Sequence, residues 1–312
     1  MVKDIFPMKP IGYIIVTYNR PTDILEQLKN ISNLDKAAEL LQEIIVVNNG
    51  STDDYTLVKK YIEQEQNDLP FAWYDMPSNV GPGNGRNYAF EKSVAPYLIM
   101  IDDDAVLQNK DSLVKLLKEF ETINTEREKV IVSFKVLYYD SLKMQKSTFP
   151  HKNYKIFKDK PFYETYYFVA GAHAIKREVF EKVGNYPKDF FYGMEEYDLS
   201  YRILNAGYSI GYTNQIVILH KESPLGRNPK KVQLRMMWVN KSKVAWKYLP
   251  KRYYYSTALL WSMQYLKETG FNIAGFWQGW KDIFAIPSSS KRTPINSATL
   301  DHIKKLKGRL WY

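Results

Sequence analysis

The sequence predicts an α/β fold, a mostly parallel central sheet flanked by helices, with a helical extension at the C-terminal end. Three observations carry this prediction. Short β-rich apolar runs alternate with segments of helical period through the first half of the chain. Polar residues follow those runs directly. Beyond residue 222 the composition turns basic and aromatic. Strands that alternate with helices need crossover connections, which make the sheet mostly parallel. Ligands of such sheets sit beyond the carboxyl ends of the strands, near a switch in strand order.

Residues 11–18 are the first apolar run. It ends at Asn19-Arg20-Pro21, and Pro21 suits the first turn of a helix. Ile24, Leu25, Leu28 and Ile31 then recur at helical spacing. Residues 43–47 form a second strand, closed by Asn48-Asn49-Gly50-Ser51, and Asp53 or Asp54 could start the next helix. Residues 71–76 are a third strand. A Gly-rich turn over 81–85 precedes a helix over 86–94. Residues 97–101 are a fourth strand that runs straight into Asp102-Asp103-Asp104. Leu113, Leu116, Leu117 and Phe120 mark a helix, and residues 130–136 a fifth strand. Residues 137–165 lack a clear period and read as an irregular segment suited to an acceptor loop. Residues 173–175 are extended, and 177–183 form a helix stopped by Gly184. Residues 195–206 form another helix with Gly207 as its stop, in which Asp198 and Arg202 pair at i, i+4. Residues 216–219 are a strand that delivers His220 at its end. The tail is mainly helical, with an apolar stripe through Leu259, Leu260, Met263 and Leu266 and a break at 287–290.

Composition narrows the classes. The chain has 312 residues, 45% apolar and 25% charged, which is an ordinary globular balance. It has no cysteine, so disulfides, thiolate metal sites and cysteine nucleophiles are excluded. Residues 1–10 carry Lys3, Asp4 and Lys9 and no apolar run, so the default expectation is a cytoplasmic protein. No uncharged apolar stretch of about 18 residues exists, so no spanning helix is expected. The net charge of +10 is uneven: residues 221–312 hold 18 Lys and Arg against 4 Asp and Glu, which leaves residues 1–220 acidic. Six of the seven tryptophans lie in the basic part.

Asp102-Asp103-Asp104 is the strongest local signal for chemistry. Three adjacent carboxylates repel one another unless a cation or solvent separates them, and Asp102 and Asp104 share a side of an extended segment. A hard divalent ion with oxygen ligands, Mg²⁺ or Mn²⁺, fits there; the alternative is a solvated acidic turn. His220, at a strand end, is a further candidate ligand. Glu195-Glu196 opens a helix, where the dipole alone favours acids; the functional reading makes one of the two a general base with a crowded, raised pKa. Gly81 through Arg86-Asn87 is not a dinucleotide fingerprint, because its glycines are two apart and do not follow the first strand.

Taken in order, five motifs resemble those of the family 2 glycosyltransferases, which have the GT-A fold. They are Val16-Thr17-Tyr18-Asn19-Arg20, Val47-Asn48-Asn49-Gly50-Ser51-Thr52-Asp53, Asn79-Val80-Gly81 through Arg86-Asn87, Asp102-Asp103-Asp104, and Glu195-Glu196-Tyr197-Asp198-Leu199 through Arg202. The stretch from Gly171 to Gly184 is similar as well, and the resemblance spans about residues 11–222. It implies that Thr17, Asn19, Arg20, Asn48 and Asp53 hold the base and ribose of a nucleotide-sugar, with Arg86 near the diphosphate. It implies that Asp102 and Asp104 are the Asp-x-Asp metal motif, with Asp103 at the donor and His220 completing the Mn²⁺ or Mg²⁺ site. The family base is the Asp of a Glu-Asp pair; Glu196 stands there, so the base is Glu195 or Glu196, with Glu196 preferred. The implied reaction is an inverting transfer from a UDP- or dTDP-sugar to a glycan or lipid-linked saccharide. The overall look is closest to bacterial rhamnosyltransferase-like enzymes of envelope or capsular polysaccharide synthesis.

The expected division is a GT-A catalytic domain over 1–222, with nucleotide-sugar binding in about 1–136 and acceptor and catalytic parts in about 137–222, then a helical region over 223–312. The tail has two readings. It lies on an anionic membrane surface, which would make the protein peripheral on the inner face of the cell membrane, or its apolar face packs on the catalytic half or on a second copy as a homo-oligomer. Two other functions compete. A non-catalytic nucleotide- or carbohydrate-binding module shares the fold signals, and a dinucleotide oxidoreductase is opposed by the glycine spacing. No nucleic-acid partner is expected, because the candidate pocket is acidic.

Overall fold

The computed structural model describes residues 9–65 and 67–310. The charges of Lys3 and Asp4, part of the expectation for the first ten residues, lie outside that range, as does Trp311.

The first half alternates as the sequence expects. It contains β1 (Ile11–Thr17), α1 (Pro21–Ser32), α2 (Ala37–Leu40), β2 (Leu41–Asn48), α3 (Thr56–Glu65), β3 (Phe71–Asp75), α4 (Pro82–Lys92), β4 (Tyr97–Ile101), β5 (Ala105–Leu107), α5 (Ser112–Glu121) and β6 (Lys129–Tyr138). Then follow α6 (Tyr154–Phe157), β7 (Phe162–Thr165), β8 (Ala172–Lys176), α7 (Arg177–Val183), α8 (Glu195–Asn205) and β9 (Ser209–His220). Four helices close the described chain: α9 (Lys230–Tyr248), α10 (Lys251–Glu268), α11 (Ile273–Ser289) and α12 (Ser297–Lys305).

One mixed sheet takes the order β3-β2-β1-β4-β8-β6-β9-β5, with β7 also paired to β9. It is parallel through β3-β2-β1-β4, and β8 runs antiparallel between β4 and β6. The chain steps outward from β1 to β2 and β3, then returns to lay β4 on the other side of β1. That reversal leaves a crevice at the carboxyl ends of β1 and β4, where both Asn19-Arg20 and Asp102–Asp104 emerge.

The strands are apolar on both faces because both are covered. One face packs Ile24, Leu28, Val58 and Leu113 from α1, α3 and α5. The other packs α4, α7 and α8, and its core runs on without a break into Trp238, Tyr265, Ile283 and Ile303 of the four C-terminal helices.

Three sequence expectations shift. The glycines of 81–85 are not a separate turn, because α4 already starts at Pro82. A Cβ on Gly85 would lie 2.6 Å from Val16 Cγ1, so the glycine lets α4 press against β1. Residues 137–165 are partly ordered, with α6, β7 and a 3-10 turn over Lys146–Thr148. Pro287 sits inside the last turn of α11, and the expected break comes just after it, where the helix ends at Ser289. Proline cannot bond the carbonyl four residues back; that carbonyl, on Ile283, accepts the Tyr254 hydroxyl at 2.9 Å instead.

Candidate active site

Thr17 is buried at the end of β1, and its hydroxyl lies 2.9 Å from Tyr55 Oη. Asn19 takes a left-handed backbone (φ 52°), which turns its side chain toward the β2 loop. Its Oδ1 accepts the backbone N–H of Thr52 at 2.8 Å and of Asp53 at 3.3 Å. Asn48 accepts from Ser51 N and donates to Asp75 Oδ1 at 2.8 Å. These residues therefore tie the ends of β1, β2 and β3 together, and Asp53 stands exposed at the rim of that cluster.

The carboxylates of the Asp triplet meet three arginines. Arg20 Nη1 is 2.6 Å from Asp103 Oδ1 and 3.2 Å from Asp104 Oδ2. Arg86, buried in α4, reaches Asp102 Oδ1 at 2.7 Å and Glu195 Oε1 at 3.5 Å. Arg227 approaches Asp104 Oδ2 at 3.4 Å. Burial raises the Asp103 carboxyl to about 6 despite Arg20 beside it. Burial also works against ionisation of Asp104, but His220, Arg20 and Arg227 outweigh it and hold that carboxyl down at about 2.

Asp102, Asp104 and His220 come together: one ligand atom from each lies within 4.8 Å of the others. The antiparallel pairing of Ala105 with His220 brings β9 to the triplet. Two details show that these donors suit a divalent cation. Asp104 Oδ1 is buried without a hydrogen bond and lies 3.2 Å from His220 Nε2. The other ring nitrogen, Nδ1, is 2.8 Å from Gln145 Oε1, and the Gln145 amide donates to Glu222 Oε1 at 2.6 Å. A carboxylate only accepts, so Gln145 must turn its oxygen to the histidine and accept a hydrogen bond from Nδ1–H. Burial lowers the His220 pKa, but Asp104 beside Nε2 outweighs it and holds that pKa above its usual value. Once Nε2 gives up its proton, the lone pair lies there, the orientation that metal-binding histidines receive from such partners.

Glu195 and Glu196 begin α8 and line the same cavity of about 320 Å³ as the triplet and His220. Glu195 is buried against Arg86, whereas Glu196 is half-buried. Burial raises both carboxyls above the usual range, and Glu195 adds to the effect on Glu196. The residue before them, Met194, is left-handed (φ 71°). Asn240 of α9 fixes this bend by donating to the carbonyls of Tyr192 and Gly193. Asp198 serves the fold and not the cavity. It holds Arg202 at 2.9 Å, Tyr248 at 2.9 Å and Lys247, and so locks α8 to α9.

Several residues of this site carry no signal in the sequence that marks them. Gln145 lies in the stretch without period. Gly226, Arg227, Asn228 and Met237 line the cavity from beyond residue 222. Residues 221–228 run across the triplet: Lys221 N donates to Asp104 O, Ser223 N to Asp104 Oδ2 at 2.9 Å, and Arg20 Nε to Leu225 O at 2.8 Å. His173, by contrast, is a core residue under the sheet's covering helices, bonded to Val169 O and Tyr186 Oη.

Known proteins share this architecture. The S. aureus TarS 1–349 structure in complex with UDP-GlcNAc superposes with a TM-score of 0.60 at 14% identity, covering 94% of this chain and 83% of that one. The mannosyltransferase PcManGT from Pyrobaculum calidifontis, in complex with GDP-Man and Mn²⁺, gives 0.56 at 17% identity, covering 97% and 83%. By sequence, the O-antigen chain rhamnosyltransferase WbaN of Salmonella anatum is 22% identical over 218 residues, 67% of this chain and 65% of that protein. The uncharacterized glycosyltransferase YfnE of Bacillus subtilis (strain 168) is 23% identical over 258 residues, 68% of this chain and 64% of that protein. The chain thus spans just under two thirds of the length of both. The family model described as Glycosyl transferase family 2 matches residues 13–184, more than half of the sequence, and the chain belongs to that family as a glycosyltransferase with the GT-A fold.

Proposed function

We propose that this glycosyltransferase is inverting and metal-dependent, and that it moves a sugar from a UDP- or dTDP-linked donor to a hydroxyl of a glycan or lipid-linked saccharide in envelope or capsular polysaccharide synthesis. The observation that carries the reading is the convergence of Asp102, Asp104 and His220 Nε2 in the cavity that Glu195 and Glu196 also line. The similar structures hold UDP-GlcNAc in one case and GDP-Man with Mn²⁺ in the other, which supports a nucleotide-sugar and a divalent ion here.

In this reading Asp102, Asp104 and His220 hold Mn²⁺ or Mg²⁺, with Asp103 beside them at the donor. The ion would supply positive charge to the departing diphosphate as a Lewis acid. The cluster of Thr17, Asn19, Asn48 and Asp53 receives the base and ribose. Arg20 and Arg86, each already at an aspartate, are placed to accept phosphate charge in exchange. Glu196 takes the proton of the acceptor hydroxyl. The oxygen so freed forms a bond to the anomeric carbon as that carbon's bond to the diphosphate oxygen breaks, and nucleoside diphosphate leaves from the opposite face. Glu196 suits this better than Glu195, because it reaches the cavity half-exposed while Glu195 is covered by Arg86. The catalytic domain remains 1–222 in this reading, completed by residues 223–237 of the helical part.

The test is a thermal-shift panel of nucleoside diphosphates with and without Mn²⁺ or Mg²⁺. UDP or dTDP should raise Tm only with metal, since ligands that bind the folded state stabilise it. Asp104→Ala should abolish the shift. Glu196→Gln should keep the shift while lowering transfer by roughly 10²–10⁴-fold. Absence of any metal-dependent shift would remove the proposal.

A further inference from the structure

The C-terminal helices present two kinds of face. Toward the interior, Trp238 of α9 stacks on Tyr265 of α10 and Phe276 of α11, and meets Trp280 edge-on. Its indole N–H donates to Ala258 O at 2.8 Å. The inner sides of α10 and α11 are therefore both committed to α9. Their outer sides are apolar as well. Tyr255, Leu259 and Met263 are exposed at i, i+4, i+8 on α10. Ile273 and Trp277 are exposed on α11, with Phe284 two turns further on and Phe271 in the intervening bend. Phe271, Trp277 and Phe284 are each at least 66% exposed. The apolar stripe of the sequence thus lies mostly outside.

Soluble monomers rarely leave so many large apolar side chains on one pair of helices without a partner. The charges around this face select which partner. Exposed Lys251, Arg252, Lys267 and Lys281 flank it, against Glu268 as the one exposed acid within α10 and α11 among the described residues. An apolar face edged with cations matches an anionic bilayer, where rings enter the interface and lysines meet phosphate. No described helix is long and apolar enough to cross a membrane, so the contact is lateral. One end of the face lies near the segment that borders the catalytic cavity. Glu268, at the end of α10, pairs with Lys230 at the start of α9 at 3.2 Å. Lys230 closely follows the segment whose Gly226, Arg227 and Asn228 line that cavity.

We propose that the outer face of α10 and α11 docks on an anionic lipid surface, holding the cavity mouth beside the membrane. This docking is independent of the donor and metal reading, which the thermal-shift panel tests separately. The experiment is flotation of the full chain with equimolar phosphatidylcholine–phosphatidylglycerol vesicles, and with phosphatidylcholine alone. The protein should float with the anionic vesicles and lose most of that binding in high salt, which screens the lysines. The combined F271E, W277E and F284E variant should reduce the bound fraction roughly tenfold or more. Ile123→Glu, at an exposed site far along the chain from these helices, should leave it unchanged. Lack of flotation, or equal flotation of the triple variant, overturns the proposal. A dimer in light scattering that the same three substitutions make monomeric would overturn it too, by assigning the face to a second copy.

Discussion

His220 offers Nε2 to Asp104 because Gln145 Oε1 occupies Nδ1, and Gln145 keeps that oxygen forward because its amide donates to Glu222. Removing the amide frees the ring to choose the other tautomer. Gln145→Ala is therefore expected to weaken Mn²⁺ binding about 10–100-fold, read from Mn²⁺ titration of the metal-dependent nucleotide shift. His173 gives a separate expectation at this scale. It is fully buried, and burial followed by the charge of Arg86 pushes its pKa down to about 3 from 6.5. Between those values the unfolded chain binds a proton that the folded chain refuses. Its stabilising effect is thus complete above 6.5 and declines on acidification. Stability should fall by about 1.4 kcal/mol per pH unit across this window from this group. Urea unfolding at several pH values should show the slope, and His173→Gln should flatten it.

At the scale of elements, the close approach of α4 to β1 depends on Gly85. A methyl group there would meet Val16 at 2.6 Å, so Gly85→Ala should cost about 1–3 kcal/mol by overpacking, measured as a shift in urea midpoint. This glycine also marks a limit of what the sequence makes legible. Apolar runs such as 11–17 and 97–101 are legible because burial on both faces leaves a continuous hydrophobic string. Their polar ends are legible because a strand's termination forces exposed backbone and side chains together. The glycines of 81–85 suggest a loop, since spacing carries no record of a neighbouring strand. The place of β8 between β4 and β6 is likewise a long-range pairing that short-range pattern does not encode. Gln145 meets His220, and Arg227 meets Asp104, across gaps of dozens of residues, in segments with no period to mark them. The motif residues are found through resemblance, but the grip of Arg20 on Asp103 and Asp104 is visible only in three dimensions.

Across the whole molecule, the change of charge and aromatic content near residue 222 marks a real change in surface without separating two cores. Trp238 and Ile303 belong to the same buried cluster as Ile14 and Met100 of the sheet. Asn240, Lys247 and Tyr248 of α9 reach the bend and helix that carry Glu195 and Glu196. Trp238→Ala should therefore destabilise the entire chain by about 3–5 kcal/mol. One shared unfolding transition, followed together by far-ultraviolet circular dichroism and by loss of nucleotide binding, would verify it. Two resolved transitions would show that the halves melt independently.

The segment from Lys221 to Asn228 gives Asp104 two roles at once. One carboxylate oxygen faces the imidazole, and the other is held by Ser223 and Arg227. In the proposed metal-dependent reading, cation occupancy and the posture of the chain leading into the helical half would thus draw on a single side chain. Linkage would make the influence mutual: whatever favours the seated segment would alter affinity for the proposed ion, and the ion would favour that seating by the same factor.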